Sequence, residues 1–442
     1  MKLNAYLVRS TLVGALGGLL FGFDISAVAG STRNLIQFFD LSSAQLGVTV
    51  AASLIGTIIG AMLSGIPAQR IGRRNGLRLT AVLYLICAVG TAIAWNWDAL
   101  LVFRFIGGMG IGGFSVICPM YIAEIAPAEW RGRLVGTFQI NIVTGVLLGY
   151  ISDFAIAALI PGVSDWHWKL GIAAIPTAFF LGMLFTINRS PRWLVMQGHN
   201  DEARDVLHRL GSPDAQAQLQ EIVDAIHSDE TTRSEPLFKR KYALPIFLAV
   251  TLGIFNQLSG INAVLYYLNF IFTKAGFSNL SSDRQSIYVG LANMLTTLVA
   301  MSVIDKIGRK TLLLIGAVGM TICLAIIGFV FQTQTHQALL LPLLILYIIA
   351  FAFSQGAVVW VYLGEVFPNK VRSKGQSLGT TANWLTTALL AFVFPILAVH
   401  HAAVPFYFFG AMMALQFFVV LFIYPETKGV SLEQMQHKMG ID

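Results

Sequence analysis

Two charged residues stand where charge is expensive. Asp24 interrupts the apolar run Leu12–Ala29, which holds no other acid, and Arg104 is embedded in the apolar run Leu100–Met109. A charged side chain at the centre of a bilayer costs about 2.5–3.5 kcal/mol on insertion scales, so such residues face a partner or a water-filled path. An acid and a base on different apolar segments predict a pair. The chemistry such a pair offers is proton exchange: the cation favours the carboxylate, and separation in an apolar site favours taking up a proton.

The elements that must position this pair are membrane helices. The chain has 442 residues, 56% hydrophobic and 12% charged, roughly half the charge of a soluble domain. Apolar runs of about 20 residues, each able to cross a bilayer as a helix, recur twelve times. They lie near 8–30, 44–68, 77–95, 100–123, 133–157, 168–187, 243–272, 286–304, 311–331, 338–365, 375–398 and 404–424. The N-terminus imitates a secretory signal, but its run is longer than a typical h-region and its loss would leave an odd number of spans, so it is read as the first span.

The net charge of +7 is not a nucleic-acid signature. Lys and Arg crowd alternate loops: Arg70 to Arg78, Arg131 and Arg133, Arg189 to Lys241, Lys306 to Lys310, and Lys370 to Lys374. The other loops offer little beyond Arg33, Lys169, Lys274 and Arg284. That asymmetry places both termini in the cytoplasm. Cys87, Cys118 and Cys323 fall within spans at no metal or disulfide spacing and are read as packing residues. No nucleophile constellation, metal cluster or phosphate loop is present, so neither an enzyme nor a cofactor is expected. The glycines of Gly107–Gly113 lie inside an apolar span and suit close helix packing.

The chain repeats itself at an offset of about 240 residues. Arg70-Ile-Gly-Arg-Arg74 recurs as Lys306-Ile-Gly-Arg-Lys310, and Glu124-Ile-Ala-Pro-Ala-Glu-Trp-Arg131 as Glu365-Val-Phe-Pro-Asn-Lys-Val-Arg372. Ser190-Pro-Arg-Trp-Leu194 and Pro425-Glu-Thr-Lys-Gly429 close the sixth spans of each half. The predicted architecture is an all-α membrane protein of two pseudo-symmetric six-helix bundles, 1–187 and 243–425. A helical cytoplasmic linker, 188–242, joins them, and a tail, 426–442, follows. Within the linker, the segments after Asn200 and Ala215 read as short amphipathic helices separated by Gly211-Ser-Pro213. A parallel repeat of six spans suits two bundles rocking about a cavity. Arg73, Glu124, Arg131, Arg309, Glu365 and Arg372 are read as a cytoplasmic gate, pairing acid with base to latch the two bundles.

These motifs resemble the sugar porter family of the major facilitator superfamily over nearly the whole chain, and most resemble its bacterial proton-coupled xylose and glucose symporters. The resemblance rests on Gly22-Phe-Asp24, Arg104-Phe-Ile-Gly-Gly, Pro119-Met-Tyr-Ile-Ala-Glu124, Ser190-Pro-Arg-Trp-Leu194, Gln257-Leu-Ser-Gly-Ile-Asn262 and Pro425-Glu-Thr-Lys-Gly429. It implies a sugar-contacting set of Phe21, Gln139, Asn256, Gln257, Asn262, Asn293, Trp360, Asn383 and Trp384. That set makes chemical sense: amides both donate to and accept from sugar hydroxyls, and an indole face suits the C–H face of a pyranose.

Several positions depart from the family pattern. Asn256 stands where the first of two glutamines is usual, and Val146 where xylose-type members carry a second amide. Gly356-Ala357 replaces Gly-Pro in the tenth span, predicting a weaker helix break there. Gln69 replaces an acid in the first-half loop, and Asn188-Arg189 stands where Pro-Glu is usual.

The expected function is proton-coupled symport of a neutral monosaccharide by alternating access, with Asp24 and Arg104 as the coupling pair. The protein is expected to sit as a monomer in the lipid bilayer of the plasma (inner) membrane. A passive sugar facilitator is the nearest rival; a membrane sugar sensor and a drug–proton antiporter are more distant ones.

Overall fold

The computed structural model describes all residues except 1–3, 128, 232–234, 369–370, 429–433, 436–438, 440 and 442. Lys370 and Gly429 of the basic loop and closing motif therefore lie outside the described residues. The described residues form helices joined by short turns, as a chain in lipid must if its backbone groups are to be satisfied internally. Eleven helical stretches are long and apolar enough to cross a membrane, beginning with Ala5–Phe39, Ser43–Arg70, Arg73–Ala92, Trp97–Ile125 and Arg131–Leu159. The sixth predicted span is helical too, but a turn after Gly171 divides it into Trp166–Gly171 and Ala174–Met183.

Contacts divide the chain into two compact units. One comprises Met1–Ala27 with Ala52–Arg233, the other Val28–Ala51 with Ser234–Asp442. The segment around Gly47 joins the second unit because it lies against the Phe392 carbonyl, which a side chain at Gly47 would strike. In the first unit the first and fifth spans pack through small residues: Gly22 against the Ile142 carbonyl, Gly145 against Leu19, Gly149 against Ser26. The fourth span's glycine run, Gly107–Gly113, fits the same way between the second and third spans.

Two spans of the second unit are broken. The seventh runs Ala243–Leu258, then resumes at Ile261–Tyr266 after Gly260 adopts φ +85°, a left-handed conformation only glycine takes readily. Ser259 donates its hydroxyl to the Asn256 carbonyl, and the Tyr347 hydroxyl donates to the Ser259 carbonyl at 2.9 Å, so the break leaves no buried group stranded there. The tenth span breaks between Leu340–Phe353 and Gln355–Glu365, at Ser354 with φ −112° and ψ −90°. The helix is interrupted there without the usual proline.

The segment after the sixth span folds into helices Pro191–Met196, Asn200–Arg209 and Ala215–Thr231. The cap of the second is His199, with Asp201 and Glu202 in the first turn. Ser190 caps the first of these helices through the Trp193 N–H.

Candidate transport site and charge networks

In the first unit Arg104 and Asp24 meet. Arg104 donates through Nη1 to Asp24 Oδ1 at 2.6 Å and through Nη2 to Oδ2 at 3.3 Å, a forked geometry. The residues are 3% and 5% exposed, so both charges have left solvent. The Tyr84 hydroxyl, from the third span, reaches Asp24 Oδ1 at 3.5 Å. Glycines hold the first span against the fifth and the fourth against the third, which brings these side chains from three helices to one point. Phe21 and Gln139 are both half-buried in this unit, and no hydrogen bond of the Gln139 amide is found among the described residues.

In the second unit four amides gather where the seventh span breaks. Gln257 Nε2 donates to Asn256 Oδ1 at 2.8 Å and to Asn383 Oδ1 at 3.3 Å. Asn383 Nδ2 donates to Asn256 Oδ1 at 2.9 Å and to the Gly253 carbonyl at 3.2 Å. Asn262, beyond the break, donates to Gln257 Oε1 at 3.0 Å. Asn256 Oδ1 thus takes two donors, and Gln257 is engaged at both ends. Asn293 and Trp384 are buried, while Trp360 is 45% exposed. Among the described residues, no hydrogen bond joins Asn293 or Trp360 to the amide cluster.

The end of each unit that carries the basic loops holds a charge cluster. In the first unit Arg73 donates to Glu124 Oε1 through Nε at 3.0 Å and Nη2 at 2.7 Å, and Ser190 Oγ donates to Glu124 Oε2 at 2.5 Å. In the second unit Arg309 donates to Glu365 through Nε at 3.2 Å and Nη2 at 2.9 Å, and Thr427 Oγ1 donates to Glu365 Oε2 at 2.6 Å. These contacts involve four of the six residues read as a gate. The partner of each acid is the arginine of its own half's third span. Arg131 is exposed, and Arg372 donates to the Phe367 carbonyl.

Sequence reasoning also missed buried polar groups. Asp153 is 1% exposed in the fifth span, so Asp24 is not the only buried acid. Asp165 and Lys169 form a buried pair at 3.1 Å, four residues apart. Asn269 donates to the buried Asp283 and accepts from Ser286. Asp153 lies near the end of the predicted span 133–157, and Asp283 falls just before the predicted span 286–304. Tyr84 gave no signal, being one aromatic among many.

Among the described residues, membrane-length helices carry a buried ion pair in one unit and an uncharged amide cluster in the other, over twin basic-face networks. Those features define a polytopic membrane transporter of the major facilitator fold. The chain belongs to the sugar (and other) transporter family, whose sequence profile matches residues 10–439. It is 35% identical to the D-xylose-proton symporter of Escherichia coli K12 over 98% of this chain and 96% of that one. It is 34% identical to the glucose facilitated diffusion protein of Zymomonas mobilis, over 97% and 96% of the two chains. The solved inward-open structure of the E. coli xylose transporter XylE superposes with a TM-score of 0.87, at 34% identity, covering 98% of this chain and all of that one.

Proposed function

We propose that this protein is a proton-coupled symporter of a neutral monosaccharide, a hexose or pentose, working by alternating access in the plasma (inner) membrane with both termini cytoplasmic. The observation that carries the reading is the Asp24–Arg104 pair, buried on its own helices with no cargo-like ligand set around it. Relatives with both modes of transport match the chain almost equally well, so the choice between coupled and passive transport falls to that pair. In contact, the Arg104 guanidinium and the Asp24 carboxyl group satisfy one another. When the bundles rearrange and the two part, an isolated buried charge is costly and the acid takes a proton. The neutral site lets the loaded protein turn over; release of the proton inside restores the pair. One proton moving down about 100 mV supplies roughly 2.3 kcal/mol, enough for a sugar gradient of about 50-fold.

The cargo grip is assigned to Phe21, Gln139, Asn256, Gln257, Asn262, Asn293, Trp360, Asn383 and Trp384, and the gate to the Arg73–Glu124 and Arg309–Glu365 clusters. The test is uptake of labelled hexoses and pentoses into proteoliposomes, with and without an imposed pH gradient. The wild type concentrates one of these sugars only when the gradient is present, and Asp24→Asn exchanges sugar without concentrating it. Accumulation by the Asp24→Asn protein would refute the coupling assignment; gradient-independent equilibration by the wild type would make the protein a passive facilitator.

A further inference from the structure

The Tyr84 hydroxyl stands at the buried pair and has no part in the coupling scheme above. The residue is 2% exposed. Glycines of the fourth span let it in: a Cβ placed on Gly110 would stand 3.1 Å from the Tyr84 Cβ, and one on Gly107 3.7 Å from its Cδ2. Phe114 meets the ring edge-on, with centroids 6.1 Å apart and planes at 71°. Held this way, the ring sends its hydroxyl to Asp24 Oδ1, 3.5 Å away, and among the described residues that hydroxyl has no other partner. A settled O–H···O bond is shorter, about 2.7–2.8 Å. Here Arg104 Nη1, at 2.6 Å, occupies the same oxygen, and the hydroxyl stands beside it.

The two neighbours of Asp24 differ in what they can bond. A guanidinium has only N–H donors, whereas a phenol hydroxyl both donates and accepts. A carboxyl group that has taken up a proton carries an O–H that must donate, and a buried donor left without an acceptor is costly. Arg104 has nothing to offer that O–H. The other groups of this unit do not replace it. Ser26 turns to its own helix, donating to the Phe23 carbonyl at 3.0 Å. Cys87, three residues beyond Tyr84, lies near both charges, but its sulfur is a weak acceptor and is engaged by the Gly107 backbone. On the fifth span, packed against the first, Tyr150 and Asp153 act on one another. The second span, packed against the fourth, has no titratable residue before Arg70. The Tyr84 oxygen is the acceptor at hand.

We propose that Tyr84 is a further residue of the coupling site: once Arg104 withdraws, its hydroxyl accepts the hydrogen bond of protonated Asp24 and holds the proton-loaded state. Tyr84 keeps its own proton throughout, and the transported proton travels on Asp24. This rests on the reading of Asp24 as the proton carrier.

The test is the pH dependence of gradient-driven sugar uptake into proteoliposomes, at a fixed pH difference, for the wild type and Tyr84→Phe. The substitution keeps the ring against Phe114 and removes only an oxygen that has no settled bond in this state, so the variant is expected to fold. Without the acceptor, the proton-loaded state forms only at higher proton concentration. The pH of half-maximal uptake should move down by about half a unit to one unit, the worth of one hydrogen bond. In an Asp24→Asn background the same substitution should leave the pH dependence of sugar exchange unmoved. If the wild type concentrates sugar but Tyr84→Phe lowers uptake by one factor at every pH, or not at all, the inference is overturned and the symport reading stands. A wild type that equilibrates sugar without a gradient removes the symport reading, and this inference with it.

Discussion

Asp24 and Gly260 fall at matching points of the two halves, and they treat their helices in opposite ways. The first span runs unbroken from Ala5 to Phe39 through Asp24, while the seventh is interrupted at Gly260. A continuous helix gives a carboxylate a fixed, dry seat opposite Arg104. A broken helix lets side chains from both sides of the break, Gln257 and Asn262, converge on one another. The same scaffold therefore provides a buried ionic contact in one half and a neutral, multiply bonded amide cluster in the other. At the basic face, by contrast, the same acid–arginine pair recurs in both halves, which fits a shared mechanical task.

Removing one partner from the charged half should have the largest effect. Arg104→Leu strands Asp24 in an apolar environment, and breaking a buried pair this way costs about 3–5 kcal/mol. The expected outcome is a large drop in Tm, mostly recovered in the double variant Asp24→Asn/Arg104→Leu, which leaves no charge to strand. If the single and double variants unfold together, the pair is not the buried ionic contact described.

The neutral half should respond in binding rather than stability. Gln257→Ala removes the bonds to Asn256, Asn383 and Asn262; Asn256 and Asn383 keep each other, and Asn262 alone loses its partner, at a cost of about 1–3 kcal/mol. Sugar affinity should fall about tenfold to hundredfold, read by calorimetry, with a smaller change in Tm than Arg104→Leu produces. Retained affinity in Gln257→Ala, alongside its loss in Asp24→Asn, would reverse the proposed division of labour.

The agreement at the basic face can be graded by burial. The Glu124 side chain is 10% exposed and that of Glu365 is 30%. Glu124→Gln should therefore cost more, on the order of 1–3 kcal/mol, and Glu365→Gln less than about 1 kcal/mol. Equal losses in Tm would mean that solvent access does not distinguish the clusters.

What could be read in one dimension was what breaks a local rule. Asp24 and Arg104 stand out because charge does not belong in an apolar run, Gly260 because glycine does not belong in a helix interior, and the repeated loops because they recur. The rest depends on which helices become neighbours. Nothing in the spacing of Glu124 singles out Arg73, 51 residues away, over Arg131. Nor does composition reveal that the amides bond to one another, since that requires rotamers from the seventh and eleventh spans at once. The break at Ser354 has no proline or positive φ to announce it, and Asp153 was passed over because it sits near a predicted span's end.

The smallest effect concerns one position at which the basic-face clusters differ, Glu426 in the second half and Arg189 in the first. Burial pushes the Glu426 carboxyl up, but the backbone N–H groups of Lys428, Arg309, Lys310 and Thr427 outweigh it and hold the group below the ordinary glutamate range. A carboxyl lowered in the folded state contributes stability that is fully present above its unfolded value of about 4.3 and is lost as pH falls through its folded value. Between those limits the unfolded chain binds the extra proton. Tm should therefore fall with acidification in this range, and Glu426→Gln should remove part of that slope while lowering Tm at neutral pH. Arg189, at the matching position of the first half, contributes no such slope. If the slope is the same in Glu426→Gln, the N–H groups do not hold the carboxylate as described.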